Sequence, residues 1–113
     1  MTPAGFDEAC RALMGVTMDV LWGSDQVYKV GGKMFAVLGE AGACSFKAND
    51  VAFEMLVETG AARPAPYMAR AKWLYLDTLG ALPDADLRQY LAHAHALVAA
   101  KLTGKARREI GIA

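Results

Sequence analysis

The sequence predicts an α+β domain in which helices pack on one face of an antiparallel sheet. Three observations predict this class. A glycine pair, Gly31-Gly32, joins two apolar runs, further short apolar runs follow along the chain, and a long amphipathic helical pattern occupies its last third. Because no internal repeat, linker or low-complexity tract is found, residues 1–113 are expected to form a single domain.

The first element is a helix. Thr2 and Pro3 provide an N-cap and a proline in the first turn, both of which favour a helix start. Apolar residues then recur at helical spacing until Gly15, namely Phe6, Ala9, Cys10, Leu13 and Met14.

A β-hairpin follows, with strands over residues 27–30 and 33–38. Its two-residue turn needs positive φ angles, which the two glycines adopt without strain. A third strand is predicted over 43–47. The turn pairs Tyr28 with Phe35, and a four-residue loop then pairs Phe35 with Phe46. One face collects Tyr28, Phe35, Val37, Cys44 and Phe46 and is the predicted core, whereas the other is open and collects Lys29, Met34, Ala36, Ser45 and Lys47.

The second half of the chain alternates helices and extended segments. Asn49 caps a helix that ends at Gly60, prolines keep 61–66 extended, and 73–77 is a further strand. Pro83 opens a long helix, with Asp84 and Asp86 in its first turn and Lys101 and Lys105 expected at its far end. Its apolar face is formed by Leu87, Tyr90, Leu91, Ala94, Leu97, Val98 and Leu102.

Composition indicates which class of protein this is and which compartment it occupies. At 55% hydrophobic and 21% charged residues, the chain is expected to fold around one core. The N-terminus lacks a basic region, and the apolar stretch 13–22 is short and interrupted by Asp19, so we expect a cytoplasmic protein with no membrane partner. Cys10 and Cys44 lack ligand spacing, which indicates buried thiols rather than a zinc site.

Charge distribution indicates where a polyanion would bind. The formal net charge is zero, but residues 1–60 hold four basic and eight acidic residues, whereas 61–113 hold eight basic and four acidic. A nucleic-acid site must therefore be a local patch. The candidate residues lie on the open sheet face and before Trp73, and they are Lys29, Lys33, Lys47, Arg63, Tyr67, Arg70 and Lys72.

Such a patch would hold phosphates with its cations and stack bases on Tyr67 or Trp73, if these are exposed. The alternative is an ordinary solvated sheet face whose lysines keep the protein soluble, with both tryptophans in the core. The segment 101–108 carries four more basic residues, which are either a second phosphate contact or cations placed by the helix dipole.

Signals for a metal, a cofactor or catalysis are weak. His93 and His95 point away from each other around a helix and are expected at its surface or flank. The acidic stripe Asp50, Glu54 and Glu58 is interpreted as a solvated face. Gly31-Gly32-Lys33 lacks the hydroxyl residue of a phosphate loop, and no serine lies in a Gly-x-Ser-x-Gly elbow. We therefore expect no metal, no cofactor and no catalytic residue, although an acid–base pair assembled by the fold leaves no local mark.

Over nearly its whole length the chain resembles the MmcQ/YjbR-like family. The resemblance rests on the hairpin segment 27–36, on 66–73 leading into Trp73, and on 82–84 with 97–98 and 101–102. Where many relatives carry His, Asn and His near that tryptophan, this chain departs from the family pattern and has Tyr67, Ala69 and Lys72.

The resemblance implies a CyaY-like, frataxin-like fold, with terminal helices on one face of the sheet. The acidic ridge of the frataxin first helix is reduced here to Asp7 and Glu8, so iron binding is not expected. The family is often called DNA-binding-like. The sequence thus predicts a weak, sequence-tolerant module for double-stranded DNA, and the alternative is a protein-interaction or regulatory domain that binds no nucleic acid.

Overall fold

Helices cover one face of an antiparallel sheet in the computed structural model, which describes residues 1–66, 68 and 71–112. The elements in chain order are α1 (Pro3–Arg11), β1 (Val16–Leu21), β2 (Asp25–Val30), β3 (Lys33–Leu38), β4 (Cys44–Lys47), α2 (Asp50–Glu58), β5 (Arg63–Pro64), β6 (Trp73–Leu76), α3 (Asp84–Ala99) and α4 (Gly104–Glu109). Within these residues the strand order is β1-β2-β3-β4-β6-β5, and every neighbouring pair is antiparallel. The predicted α+β class is confirmed.

The core lies between the sheet and the helices α1 and α3, which both contact β3. Tyr28, Phe35 and Phe46 are completely buried, as the sequence predicts. The Phe46 ring stacks on Tyr90 of α3 with centroids 5.9 Å apart, and the Phe35 ring meets the His95 ring edge-on at 5.4 Å. These aromatic contacts tie the middle of the sheet to α3.

A β-bulge overturns part of the predicted register. Lys29 pairs with Met34 as expected, but Tyr28 pairs with Ala36 and not with Phe35. Phe35 is the extra residue of the bulge, so it and Ala36 are both buried under the helices. Ala36 therefore pairs with Phe46 and belongs to the core face, whereas the predicted partner was Phe35.

Two elements were not predicted as such. The edge strand β1 pairs with β2 along its full length, from Val16–Val30 to Leu21–Asp25. The long helix ends at Ala99, and Lys105 lies on the separate helix α4, so its predicted place at the far end of α3 is wrong. The Oγ1 of Thr103 caps α4 by accepting from the Ala106 backbone N–H at 3.0 Å.

Two predictions about buried polar groups have different outcomes. Cys10 and Cys44 are buried and free, as predicted. His95 was predicted at the surface or flank of the helix, but this side chain is buried, with 9% exposed, and its Nε2 donates to the Met14 carbonyl at 2.8 Å. His93 is exposed. Of the helices described, none combines the length and the apolar character needed to cross a bilayer.

The hairpin turn is fixed by two left-handed glycines, with φ of +57° at Gly31 and +79° at Gly32. A Cβ on Gly31 would lie 2.5 Å from the Leu102 Cδ1, whereas a Cβ on Gly32 would meet nothing within 4 Å. The turn thus packs against the chain that leaves α3. This contact brings the start of β3 beside the C-terminal end of α3.

Alanine at either glycine is expected to destabilise the protein by about 1–2 kcal/mol, because both positions need positive φ. Gly31→Ala should cost more than Gly32→Ala, since it must also displace Leu102. Urea denaturation midpoints of the two variants measure the difference. Equal midpoints would show that Leu102 moves aside without a cost in stability.

Candidate nucleic-acid interface

Two of the predicted cations lie on the open sheet face and are paired there. Lys29 on β2 reaches Asp19 of the neighbouring strand, with Nζ 3.2 Å from Oδ2. Arg63 on β5 binds Asp77 through Nη2 and Oδ1 at 2.6 Å, and its guanidinium lies 4.8 Å from the centre of the Tyr75 ring. Such exposed pairs add little stability, but each carboxylate cancels the charge that a phosphate would meet. The open face is therefore not the basic surface that the sequence predicts.

Three other predicted cations converge at one end of the sheet. Lys33, Lys47 and Lys72 line two adjoining grooves together with Lys101. The grooves have volumes of about 370 and 440 Å³ and share Lys47 and Lys101. We call these four residues the lysine cluster. Asp50 is the one acidic residue in the described lining of either groove.

The topology explains why residues so distant in sequence meet. Lys33 begins β3, Lys47 ends β4, and Lys72 directly precedes β6. Because neighbouring strands are antiparallel, the start of one strand and the end of the next lie at the same end of the sheet. Lys101 joins them from the other direction, since α3 packs across β3 and β4 and ends near the hairpin turn.

Backbone contacts hold two of these lysines in place. The Lys47 ammonium donates to the Ala71 carbonyl at 2.7 Å, and the Ala48 N–H donates to the Lys72 carbonyl at 2.9 Å. Lys72 has a φ of +60°, which is unusual for a residue with a side chain, and its Nζ lies 4.9 Å from the centre of the Phe53 ring. The backbone strain and the cation–π contact together fix where this charge points.

The cluster is electrostatically unfavourable in the free protein. Partial burial lowers the pKa of the Lys47 ammonium, the positive charge of Lys101 lowers it further, and Asp50 opposes both effects. None of the four lysines forms an ion pair within the described part of the chain. A bound anion would supply the missing counter-charge, and compact ammonium groups are suited to phosphate oxygens.

The structure separates the remaining candidates. Tyr67 and Arg70 lie outside the described residues. Trp73 is only 4% exposed, so it is a buried side chain and not a platform for bases. The other tryptophan, Trp22, is 66% exposed, which contradicts the prediction of a core position.

The basic segment 101–108 does not act as one unit. Lys101 joins the lysine cluster, whereas Lys105, Arg107 and Arg108 lie on α4. Sequence reasoning missed the convergence of Lys101 with the strand lysines, because no local pattern reports how the end of α3 meets the sheet. The signal that was present is the predicted α3 apolar face, which extends to Leu102 and so requires this end of the helix to touch the sheet.

Within the described residues, no group of three or more His, Cys, Asp and Glu side chains is placed to hold a metal ion. The stripe Asp50, Glu54 and Glu58 is exposed on α2. Asn49, which caps α2, hydrogen-bonds His93 of α3 through Nδ2 and Nε2 at 3.0 Å.

Comparisons with known proteins agree with this architecture. The chain is similar to protein DR2400 of Deinococcus radiodurans, whose crystal structure is described as containing a DUF419 domain. The TM-score is 0.84 at 21% sequence identity, and the match covers 96% of this chain and 86% of that one, which shows a shared fold. No curated protein matches the sequence. The YjbR family model matches residues 11–97, which is more than half of the sequence, and the chain therefore belongs to the YjbR family.

Proposed function

We propose that this protein is a weak, sequence-tolerant binding module for double-stranded DNA, with no catalysis of its own. The observation that carries the proposal is the lysine cluster, in which four cations from separate parts of the chain line two grooves whose described lining contains a single acidic residue. We thus assign phosphate binding to the lysine cluster at the end of the sheet and not to the open sheet face. We also propose, from the sequence, that the fold is of the CyaY-like, frataxin-like type and that the protein is cytoplasmic.

Low sequence preference follows from the chemistry of the cluster. Lysine ammonium groups contact phosphates as point charges, and phosphate contacts carry no base information. The described lining of the grooves contains no aromatic side chain on which an unpaired base would stack. A duplex, which offers phosphates without exposed base faces, therefore suits this surface better than a single strand.

Low affinity follows from the small number of charges. With a net charge of zero, the molecule attracts a polyanion only at short range. If about three phosphates are neutralised, the slope of log affinity against log salt should be about −3. The dissociation constant at physiological salt should be about 10⁻⁴ to 10⁻⁶ M.

The test is a salt titration of binding to a labelled duplex of random sequence, followed by fluorescence anisotropy. Replacing both Lys47 and Lys101 with glutamine should weaken binding and make the salt slope shallower by about two, since each removes about one phosphate contact. The double variant should fold normally, because the Lys101 side chain is exposed and the Lys47 side chain is only partly buried.

A matched control removes two charges from the open face. The Lys29→Gln/Arg63→Gln variant loses the same net charge but leaves the lysine cluster intact, so its salt slope should stay that of the wild type. If the salt slope of this control variant becomes shallower instead, the open face is the interface. If wild type shows no binding at low salt, the DNA proposal is wrong.

One observation favours a protein partner as the second candidate function. The edge strand β1 and the turn that follows it carry two exposed apolar side chains, Val20 at 58% and Trp22 at 66% exposed. An exposed edge strand with apolar side chains is a surface that extended protein segments bind. Such a complex would respond little to salt, which distinguishes it from phosphate binding.

A further inference from the structure

A separate groove on the helical side of the molecule has a composition unlike the lysine cluster. It has a volume of about 510 Å³, within the range of small-molecule sites. Three parts of the chain form it: the second half of α3, the turn before β1, and α4 with the residues that follow. Its lining includes Met14, His95, Ala96, Ala99, Arg107 and Ile112.

Most of this lining is apolar. The lining includes small alanine side chains of α3, together with Ile112 and Met14, which is 56% exposed. Ile112 is held in place because its backbone N–H donates to the Arg107 carbonyl at 2.8 Å. The groove is thus suited to a hydrocarbon chain, whose burial would cover apolar surface now open to water.

A single side chain of the described lining carries a full charge, and it is Arg107. Its Nε is buried and has no hydrogen-bond partner among the described residues. A buried donor without a partner costs free energy, and the half-buried Arg107 forms no ion pair within the described part of the chain. The Nε2 of His95 donates to the Met14 carbonyl at 2.8 Å, so this nitrogen is not free to bind a ligand.

We propose that this groove binds a singly charged carboxylate with an apolar tail. The planar guanidinium of Arg107 pairs with a planar carboxylate, and one cation suits one negative charge better than the two of a phosphate monoester. The tail lies along the alanine side chains of α3. This site is independent of the lysine cluster and does not rest on the DNA-binding proposal.

Octanoate is a suitable probe, and 1-octanol is its uncharged match. We expect octanoate to shift the methyl NMR signals of Met14, Ala96, Ala99 and Ile112 in a saturable manner, and octanol to bind about tenfold or more weakly. This comparison uses the wild-type protein and needs no variant to fold. Absence of saturable shifts at these methyls up to millimolar octanoate would overturn the proposal, as would equal binding of the two probes.

Arg107→Met tests the charge directly. The variant should bind octanoate and octanol equally, because the groove keeps its apolar walls and loses its cation. Arg108→Met is the matched control, since Arg108 is exposed on the same helix and does not line the groove. A preference for octanoate that survives Arg107→Met, or that is lost in Arg108→Met, contradicts the assignment to Arg107.

Discussion

Phe46→Ala should lower the free energy of unfolding by about 3–5 kcal/mol, the range found for large aromatic side chains removed from a core. Phe46 is completely buried in the centre of the sheet, and its ring stacks on Tyr90 of α3. Because β4 is paired with β3 on one side and with β6 on the other, its backbone has little freedom to move and close the cavity. A domain of this size has about 5–15 kcal/mol in total, so the variant should be close to unfolding at 37 °C.

Urea denaturation followed by circular dichroism measures this loss. Phe53→Ala is the matched control, because it removes the same ring from α2, where the side chain is only partly buried and lies beside Lys72. We expect it to cost less than half as much as Phe46→Ala. A larger loss at Phe53 than at Phe46 would show that the sheet–α3 contact is not the main source of stability.

Local signals explain which parts of the fold were predictable. The Gly31-Gly32 turn, the Asn49 cap and the Thr2 cap are each decided by a few neighbouring residues, and each appears where the sequence places it. The strand β1 also carried a signal, since apolar and polar residues alternate from Val16 to Val20. The alternation is short and lies within the apolar stretch 13–22, which masks it.

The bulge at Phe35 had no such signal. Bulges are often marked by glycine, but here the bulged segment is Phe35-Ala36, and both residues are buried. What favours the bulge is the shape of the core, in which the Phe35 ring reaches His95 on α3. A contact between residues 60 positions apart is not visible in a two-strand register argument, and the one-residue error moved Ala36 and Val37 to the wrong faces.

Contacts between residues far apart in sequence also explain why the candidate site could be predicted only in part. The sequence identified Lys33, Lys47 and Lys72 as members of a cationic patch, and the structure brings them together. It also placed Lys29 and Arg63 there, because a sequence does not show that Asp19 and Asp77 lie opposite them in the sheet. Cations could thus be found from composition and strand order, but their counter-ions depend on pairings that only the fold specifies.

Alkaline pH should destabilise this protein unusually steeply, because three buried groups must stay protonated in the folded state. Burial raises the pKa of the Cys44 thiol from 9.0 to about 12. Burial also raises the pKa of the Cys10 thiol, and the charge of Asp7 adds to the effect. The pKa of Tyr28 is raised by burial and then by the hydrogen bond that its hydroxyl donates to Asp7 at 2.7 Å.

The direction of the effect follows from proton binding. Above about pH 9 an unfolded thiol loses its proton while the folded thiol keeps it, so rising pH favours the unfolded state. Stability is therefore intact below pH 9 and is lost as pH rises toward the raised values. Each unfolded thiol is only half deprotonated at pH 9, so each should remove about 1 kcal/mol between pH 9 and pH 10. The two thiols together should therefore remove about 2 kcal/mol, and Tyr28 adds to the loss above about pH 10.

Urea denaturation at pH 8, 9 and 10 under reducing conditions measures this slope. The Cys10→Ala/Cys44→Ala variant should be less stable than wild type at pH 8, because each substitution leaves a small cavity, but its stability should change much less with pH. The test compares how steeply the free energy of unfolding falls with pH in the two proteins, not its value at one pH. If wild type and variant lose stability in parallel between pH 9 and pH 10, the thiols are not the groups responsible, and the burial of Cys10 and Cys44 has no role in the alkaline transition.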